Sequence, residues 1–258
     1  MPRPSARTVI ASTLSVGLLS ASACTVTGLD KAIKGVPDAV SPAATATTPR
    51  TPVAAPTLTE AQARAALISE DDLGEPWVPT EGGATWRDAM LKASAESADC
   101  RRLLDALYAE ELFGPDARTR ASVGLDDEWD EAQLRYQVVA HRTEDIDRTL
   151  AWLGSLPDKC GEFTATARGG TMTVEVSEAE MPEVGDARQG LRVVLSAVSE
   201  YDEAPMLTLH VAAVRVGDDA ITITNGGLGD VPADATATAV ELGAQRLAEV
   251  RKRGRAHV

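Results

Sequence analysis

Residues 206–225, MLTLHVAAVRVGDDAITITN, contain two stretches typical of β-strands with a short polar turn between them. In the first stretch Leu207, Leu209 and Val211 recur at every second position, and the second stretch is rich in β-branched residues. The turn VGDDA, residues 216–220, supplies a glycine and two aspartates, which favour a tight reversal of the chain. These residues therefore predict an antiparallel β-hairpin.

Similar stretches extend this hairpin into a larger sheet. FTATA, TMTVEVS and LRVVLSAVS precede it and are separated by turns rich in glycine and aspartate. Further upstream, residues 119–126 and 133–141 alternate in the same way around the acidic loop DDEWDE. We therefore predict an antiparallel meander in the second half of the chain, with another strand pair before it.

Helical patterns lie before, between and after these strands. Thr59 and Gln62 form a capping-box pattern at the start of one helix. Residues 98–114 place Cys100 and several leucines on one helical face. Thr143 is predicted to cap a third helix, with Pro157 after its end, and a last helix covers about residues 232–253.

The intervening residues 80–97 are ambiguous, with a loop and a short helix around 86–95 as the favoured interpretation. This order of elements predicts an α+β fold, in which helices pack on one face of an antiparallel β-sheet.

The first 23 residues have the three parts of a secretory signal peptide. Arg3 and Arg7 precede an uncharged apolar stretch that is shorter than the roughly 20 residues a spanning helix needs, and small residues follow. The sequence ASAC at residues 21–24 resembles the lipobox of bacterial lipoproteins. That resemblance implies a diacylglycerol on Cys24 and a palmitate-type anchor in the outer face of the cytoplasmic membrane, since two acyl chains hold a protein stably. The alternative is a conventional signal peptide in which Cys24 is incidental.

A change of composition separates this N-terminus from the globular part. Residues 24–56 are rich in Pro, Ala and Thr without apolar periodicity, which predicts a tether that does not fold. Residues 57–254 are long enough for one domain with its own core, and 255–258 form a short tail.

Two cysteines remain if Cys24 is lipidated. An even pair in an exported chain favours a disulfide between Cys100 and Cys160, and two free buried thiols are the alternative. No CxxC motif or histidine lies near them at the spacing of a zinc site.

Charge and motifs exclude several kinds of function. The net charge of −14 disfavours nucleic acid as a partner, because nucleic-acid binding needs a basic surface. The signatures GxSxG and HExxH do not occur, and NGGLGD at 225–230 lacks the lysine and hydroxyl of a phosphate loop. The acidic residues 126–131 lack the glycine and closing glutamate of an EF-hand, so a solvated hairpin tip is preferred. We predict no catalytic residues, metal site or cofactor.

Single histidines and tryptophans are candidates for a functional role outside any motif. His141 lies at the end of a strand, His257 in the tail, and His210 on a strand face where a half-exposed structural role is the favoured interpretation. Trp152 is expected in the core. Exposure of Trp129 in the acidic loop would indicate a contact surface.

The segments ARAALISEDDLGEPW, ADCRRLLDAL and DKCGEF, together with the sheet and last helix, resemble a family of actinobacterial lipoproteins. The globular part of that family is similar to the extracellular sensor domain of certain mycobacterial serine/threonine kinases. The resemblance implies an extracytoplasmic α+β domain with a ligand cleft between sheet and helices. This chain has one candidate disulfide where the kinase sensors typically have two, and no binding residue carries over.

The sequence thus predicts a lipid-anchored, extracytoplasmic ligand-binding or sensor-like module that is not an enzyme, with a small molecule or an envelope protein as its ligand. The first alternative is an interaction or assembly protein of the cell envelope, which predicts an exposed apolar patch near Trp129 or Trp77. The second is an enzyme acting on envelope components, which predicts acids or a histidine inside a pocket.

Overall fold

The computed structural model describes residues 58–198 and 204–256, without the side chains of residues 255 and 256. The predicted signal peptide, Cys24, the tether and His257 lie outside the described residues.

Nine strands form a single antiparallel sheet. In chain order they are β1 Trp77–Pro79, β2 Ala93–Ala95, β3 Arg118–Asp127, β4 Ala132–Ala140, β5 Glu162–Ala167, β6 Gly170–Glu178, β7 Ala187–Ala197, β8 Met206–Val216 and β9 Asp219–Leu228. Their order across the sheet is β1-β3-β4-β9-β8-β7-β6-β5-β2. The predicted meander is the run from β5 to β9, and the β3–β4 hairpin continues the sheet beside β9. The predicted α+β class is confirmed.

The β8–β9 hairpin lies at the middle of this sheet and turns where the sequence predicts. Gly217 adopts a φ of 64°, a conformation that residues with a side chain rarely adopt. A Cβ atom here would also come within 2.6 Å of the Arg251 guanidinium, which pairs with Asp218 and Asp219 beside the turn. The backbone conformation of the turn therefore favours glycine, and the Arg251 side chain packs directly over it.

Both edges of the sheet are short. The outermost strands, β1 and β2, have three residues each, and β1 ends with Pro79. Proline has no backbone N–H, so it removes one donor from an exposed edge.

Six α-helices and one π-helical turn complete the fold of the described residues. The helices are α1 Glu60–Arg64, α2 Glu70–Leu73, α3 Ala98–Ala109, α4 Thr143–Gly154, α5 Leu156–Cys160 and α6 Asp234–Ala256, and the π-helical turn is Arg87–Leu91. The predicted capping box is present, since Thr59 and Gln62 bond to each other's backbone N–H groups. Pro157 follows the end of α4, as predicted, and also lies in the first turn of α5, where its missing N–H costs nothing.

Helices pack against both faces of the sheet, not against one face as the sequence analysis predicts. The reason is visible in β8, whose successive side chains point to opposite faces. Leu207, Leu209 and Val211 pack in one core with α3, α4 and α5. Ala212 and Val214 pack in a second core with α1 and α6. The central strand is thus buried on both sides.

Two contacts close the second core. The Tyr136 hydroxyl donates to the Ala66 carbonyl at 3.1 Å, and burial raises the pKa of this phenol. Arg246 of α6 donates to both carboxylate oxygens of Asp72 and to the Leu67 carbonyl. Burial alone would raise the pKa of Asp72, but hydrogen bonds from Arg246 and Ser69 together lower it. The hydrogen bonds from Arg246 therefore hold α2 and the segment just after α1 against α6.

The predicted disulfide joins Cys100 of α3 to Cys160 of α5, with 5.6 Å between the two Cα atoms. Both cysteines are buried in the first core. Within the described residues no helix is both long enough and apolar enough to cross a bilayer.

Candidate functional site

A cleft of about 500 Å³ lies beside the first core, where β4 ends and α4 begins. We call it the arginine cleft. Its wall consists of Arg102 of α3, the loop from Phe113 to Asp116, His141 and Arg142, and the first turns of α4 with Asp145, Arg148, Thr149 and Ala151. Its volume falls within the range of about 300 to 1,000 Å³ that is common for small-molecule sites.

Local backbone preferences bring these residues together. Gly114, at a φ of 81°, turns the chain away from α3 toward β3. At the end of β4, Arg142 has extended dihedral angles and forms the N-cap of α4, one residue before the predicted cap Thr143. Asp145 then falls in the first helical turn, where a negative charge is stabilised by the helix dipole.

Asp145 is the centre of the charge arrangement. Its side chain is 8% exposed, and its carboxylate contacts the Arg142 Nε at 2.5 Å, an Nη of Arg148 and the His141 Nε2 at 3.5 Å. The two arginine side chains are 77% and 70% exposed. The carboxylate therefore lies beneath the two guanidinium groups, and a molecule entering the cleft meets the cations first.

His141 sits against the same carboxylate. Burial lowers the pKa of His141, the nearby Arg142 and Arg148 charges add to the decrease, and Asp116 opposes it. The imidazole is therefore held in its neutral form to a lower pH than a free histidine.

Arg102 forms the opposite wall and is fixed by an aromatic ring. Its guanidinium carbon lies 3.7 Å from the centroid of the Trp152 ring. The Trp152 Nε1 donates to Asp99 Oδ1 at 3.0 Å, and Lys159 lies 3.3 Å from the other oxygen of Asp99. Trp152 is buried, as predicted, and the Cys100–Cys160 bond joins the two helices that carry Asp99 and Lys159.

The residues that the sequence singled out lie elsewhere, apart from His141. His210 is buried, not half-exposed, because the segment before α6 covers it, and its Nε2 lies 2.7 Å from the Val231 carbonyl oxygen. Gly226 and Gly227, predicted as part of a strand-to-helix turn, belong to β9. A Cβ atom at Gly226 would overlap the Leu209 side chain, and one at Gly227 would lie 3.1 Å from the Ala132 Cα atom.

Several buried polar atoms on β8, β9 and α6 have no hydrogen-bond partner within the described residues. They include the Thr208 hydroxyl, the Thr236 hydroxyl and both side-chain polar atoms of Asn225. Asn225 is the strand neighbour of His210, and Thr236 lies in the first turns of α6.

The acidic loop forms the tip of the β3–β4 hairpin, as predicted. Asp127 Oδ1 accepts from the backbone N–H groups of Trp129 and Asp130, so this carboxylate shapes the turn. Trp129 is 75% exposed, whereas Trp77 and Trp86 are buried. Throughout the described ranges, no group of three His, Cys, Asp or Glu side chains is placed to hold a metal ion.

Sequence reasoning missed the arginines of the cleft. Arg142, Asp145 and Arg148 recur at every third position in HRTEDIDR, a spacing that brings side chains together at the start of a helix. That signal was available locally. Arg102, however, comes from a helix 40 residues earlier, and only the tertiary fold brings it to the same wall.

Comparison with known proteins assigns no family. No protein-family model and no curated protein matches this chain. Among solved structures, the extracellular domain of PknH from Mycobacterium tuberculosis matches 77% of this chain and 99% of its own, with 16% sequence identity and a TM-score of 0.43. A likeness of this degree does not establish a shared function or a shared site.

Proposed function

We propose that this protein is an extracytoplasmic binding module, anchored to the outer face of the cytoplasmic membrane through Cys24, and that the arginine cleft is its ligand site. The observation that carries the binding role is the cleft itself, because it combines a suitable volume with several polar groups held in place by Asp145 and Trp152. The disulfide supports the location, since such bonds persist in oxidising compartments.

The binding role is tested by native mass spectrometry of the full-length protein, released from its own membranes in a neutral detergent. We expect a reproducible additional mass that is lost on denaturation. Ala151→Trp places a large side chain in the cleft and should abolish the additional mass. Ala61→Trp, at an exposed alanine of α1 on the other face of the sheet, is the matched control and should retain it. A bare mass in all three proteins would contradict the proposal.

The anchor is tested separately. In cells, Cys24→Ser should remove incorporation of labelled palmitate and move the protein from the membrane fraction to the soluble fraction. The Cys100→Ser/Cys160→Ser variant controls for the loss of a cysteine and should remain membrane-bound. If Cys24→Ser stays in the membrane fraction, the lipid anchor is wrong.

An interaction or assembly role is the second candidate, and Trp129 is the observation that favours it. This side chain is 75% exposed at the hairpin tip, and the large apolar side chain of Leu228, in the neighbouring strand region, is 47% exposed. Crosslinking in intact cells, with a photoreactive residue at position 129, would capture an envelope protein if this role is correct. The matched control position is the exposed Val198.

An enzymatic role predicts a histidine or acids in a pocket, and His141 with Asp145 meets that description. The surroundings favour binding over catalysis. Asp145 shares its charge with two arginines, and the cleft wall contains no serine or cysteine nucleophile among the described residues that line it. We therefore propose a non-catalytic protein, in which Asp145 positions arginines.

A further inference from the structure

The three arginines of the cleft have N–H donors that are not used in hydrogen bonds within the described residues. Arg142 contacts Asp145 through Nε, so both of its terminal Nη groups are without a partner in the part of the chain described here. Arg148 contacts the other Asp145 oxygen through one Nη. A guanidinium carries five N–H donors in a planar fork, so each of these side chains can hold a second oxyanion while bound to Asp145.

Arg102 is the cation with the most donors available. Across residues 58–198 and 204–256 it has no hydrogen bond and no ion pair, and its only specific contact is the stack on Trp152. Stacking holds the guanidinium plane in place while its N–H groups point along that plane. An arginine fixed in this way loses little entropy when it binds an anion.

The cleft has more positive than negative side chains, whereas the protein as a whole has a negative net charge. Three arginines face two aspartates, Asp116 and Asp145, within a chain whose net charge is −14. Asp145 is also the deepest of these groups, whereas Arg142 and Arg148 are mostly exposed. An anion at the mouth of the cleft therefore meets a local positive charge.

We propose that the arginine cleft binds a phosphorylated ligand through its phosphate group. This inference rests on the proposed binding function and names the class of ligand. Arginine forks match phosphate oxygens bidentately, and a phosphate monoester carries about −1.5 to −2 charges at neutral pH, enough to engage more than one of the three arginines.

The rest of the ligand has a place to lie. A second cleft of about 320 Å³ adjoins the first and shares Arg102, Gly114 and Pro115 with it. Its wall combines the apolar Ala98, Ala106, Ala109 and Leu112 with the charged Arg101, Asp105 and Glu111. The two clefts together have room for a molecule with a phosphate at one end and, at the other, a body that carries both apolar groups and hydrogen-bond donors.

Isothermal titration calorimetry on the full-length protein in neutral detergent tests this proposal. The probes are glycerol phosphate, short-chain phosphatidylglycerol and, as a dicarboxylate for comparison, succinate. We expect saturable binding of a phosphate probe that weakens as sodium chloride is added, because exposed charges are screened by salt. Arg102→Gln and the double variant Arg142→Gln/Arg148→Gln should each weaken it about tenfold or more.

Arg253→Gln is the matched control. Arg253 is 72% exposed on a helix and pairs with Glu249 on the same helix, as Arg148 pairs with Asp145, but it lies on α6. This variant should leave affinity unchanged. Thermal denaturation of every variant checks that the fold is retained, above all for Arg142→Gln/Arg148→Gln, which removes both arginine partners of the buried Asp145 carboxylate.

The outcomes separate the source of the phosphate from the proposal itself. Binding of glycerol phosphate would support a soluble phosphate ester, and binding of phosphatidylglycerol alone would support a lipid headgroup. Tighter binding of succinate, no binding of either phosphate probe, or binding insensitive to the arginine variants would overturn the phosphate assignment. In those cases an additional mass in native mass spectrometry would still support the binding function. If no additional mass is found, the binding function and the phosphate assignment are both wrong.

Discussion

The guanidinium of Arg102 lies over the indole of Trp152, with 3.7 Å between the guanidinium carbon and the ring centroid. The indole is itself fixed, because its N–H donates to Asp99. A residue of α3 and a residue of α4 thus form one rigid wall of the arginine cleft, and the stack sets the direction of the Arg102 donors.

Arg102→Lys tests whether this geometry matters beyond the charge. Lysine keeps the positive charge but loses the planar fork and its stack, so we expect the affinity for the phosphate probe to fall several-fold. Arg253→Lys, at an exposed arginine of α6 that lines neither cleft, should have no such effect. Equal affinities in the two variants, measured by calorimetry, would show that Arg102 acts only as a point charge.

Removing the disulfide should destabilise the domain strongly. Cys100 and Cys160 are 60 residues apart, and closing a loop of that length is worth about 4 kcal/mol in the chain-entropy model. We expect the free energy of unfolding of Cys100→Ser/Cys160→Ser, measured by urea denaturation, to fall by about that amount. The wild-type protein in reductant should behave like the variant. A change well below about 1 kcal/mol would mean that the unfolded chain is already restricted.

His141 should make stability depend on pH. Burial, with Arg142 and Arg148 adding to it and Asp116 opposing it, lowers the pKa of His141 in the folded protein below 6.5. The unfolded chain therefore takes up a proton first, so the free energy of unfolding falls as the pH drops below about 6.5 and levels off below the folded pKa.

His141→Gln removes this titration. The difference in unfolding free energy between wild type and variant should therefore change between about pH 7.5 and pH 5, with the wild type losing more on acidification. Carboxylates that titrate in both proteins cancel in this difference. A difference that stays constant with pH would mean that His141 does not have a lowered pKa.

Thr208→Val should stabilise the domain. The Thr208 side chain is fully buried, and its hydroxyl has no partner among the described residues. Valine has nearly the same shape without the polar group. We therefore expect the free energy of unfolding, measured by thermal or urea denaturation, to rise by about 1 kcal/mol. Thr222→Val is the control, because the Thr222 hydroxyl donates to Gln137 and its loss should be destabilising. A decrease in the free energy of unfolding of Thr208→Val would contradict this expectation and would indicate a bound water that hydrogen-bonds to the hydroxyl.

Local patterns in the sequence predict much of the fold. Alternation identifies the strands from β5 to β9, Thr59 and Gln62 locate a helix start, and Gly217 locates the central turn. Each of these signals lies within a few residues, where backbone preference decides the structure.

The distribution of helices over two faces is not predictable in the same way. In β8 the sequence LTLHVAAVRV carries apolar residues at consecutive positions, which indicates burial on both sides but does not say which helix covers which side. The cleft depends on that same tertiary information. Arg102 and Arg148 are 46 residues apart, and no local pattern relates them.

The short outer strands of the sheet have a consequence for recognition. Many proteins capture a partner by letting an extended peptide join a sheet edge, where backbone groups provide most of the affinity. Here β1 and β2 offer only three residues each, and Pro79 lacks a donor. These two outermost strands therefore offer an extended peptide few backbone groups to pair with. The short strands at both edges also disfavour edge-to-edge pairing between copies of the protein that lie side by side on a membrane.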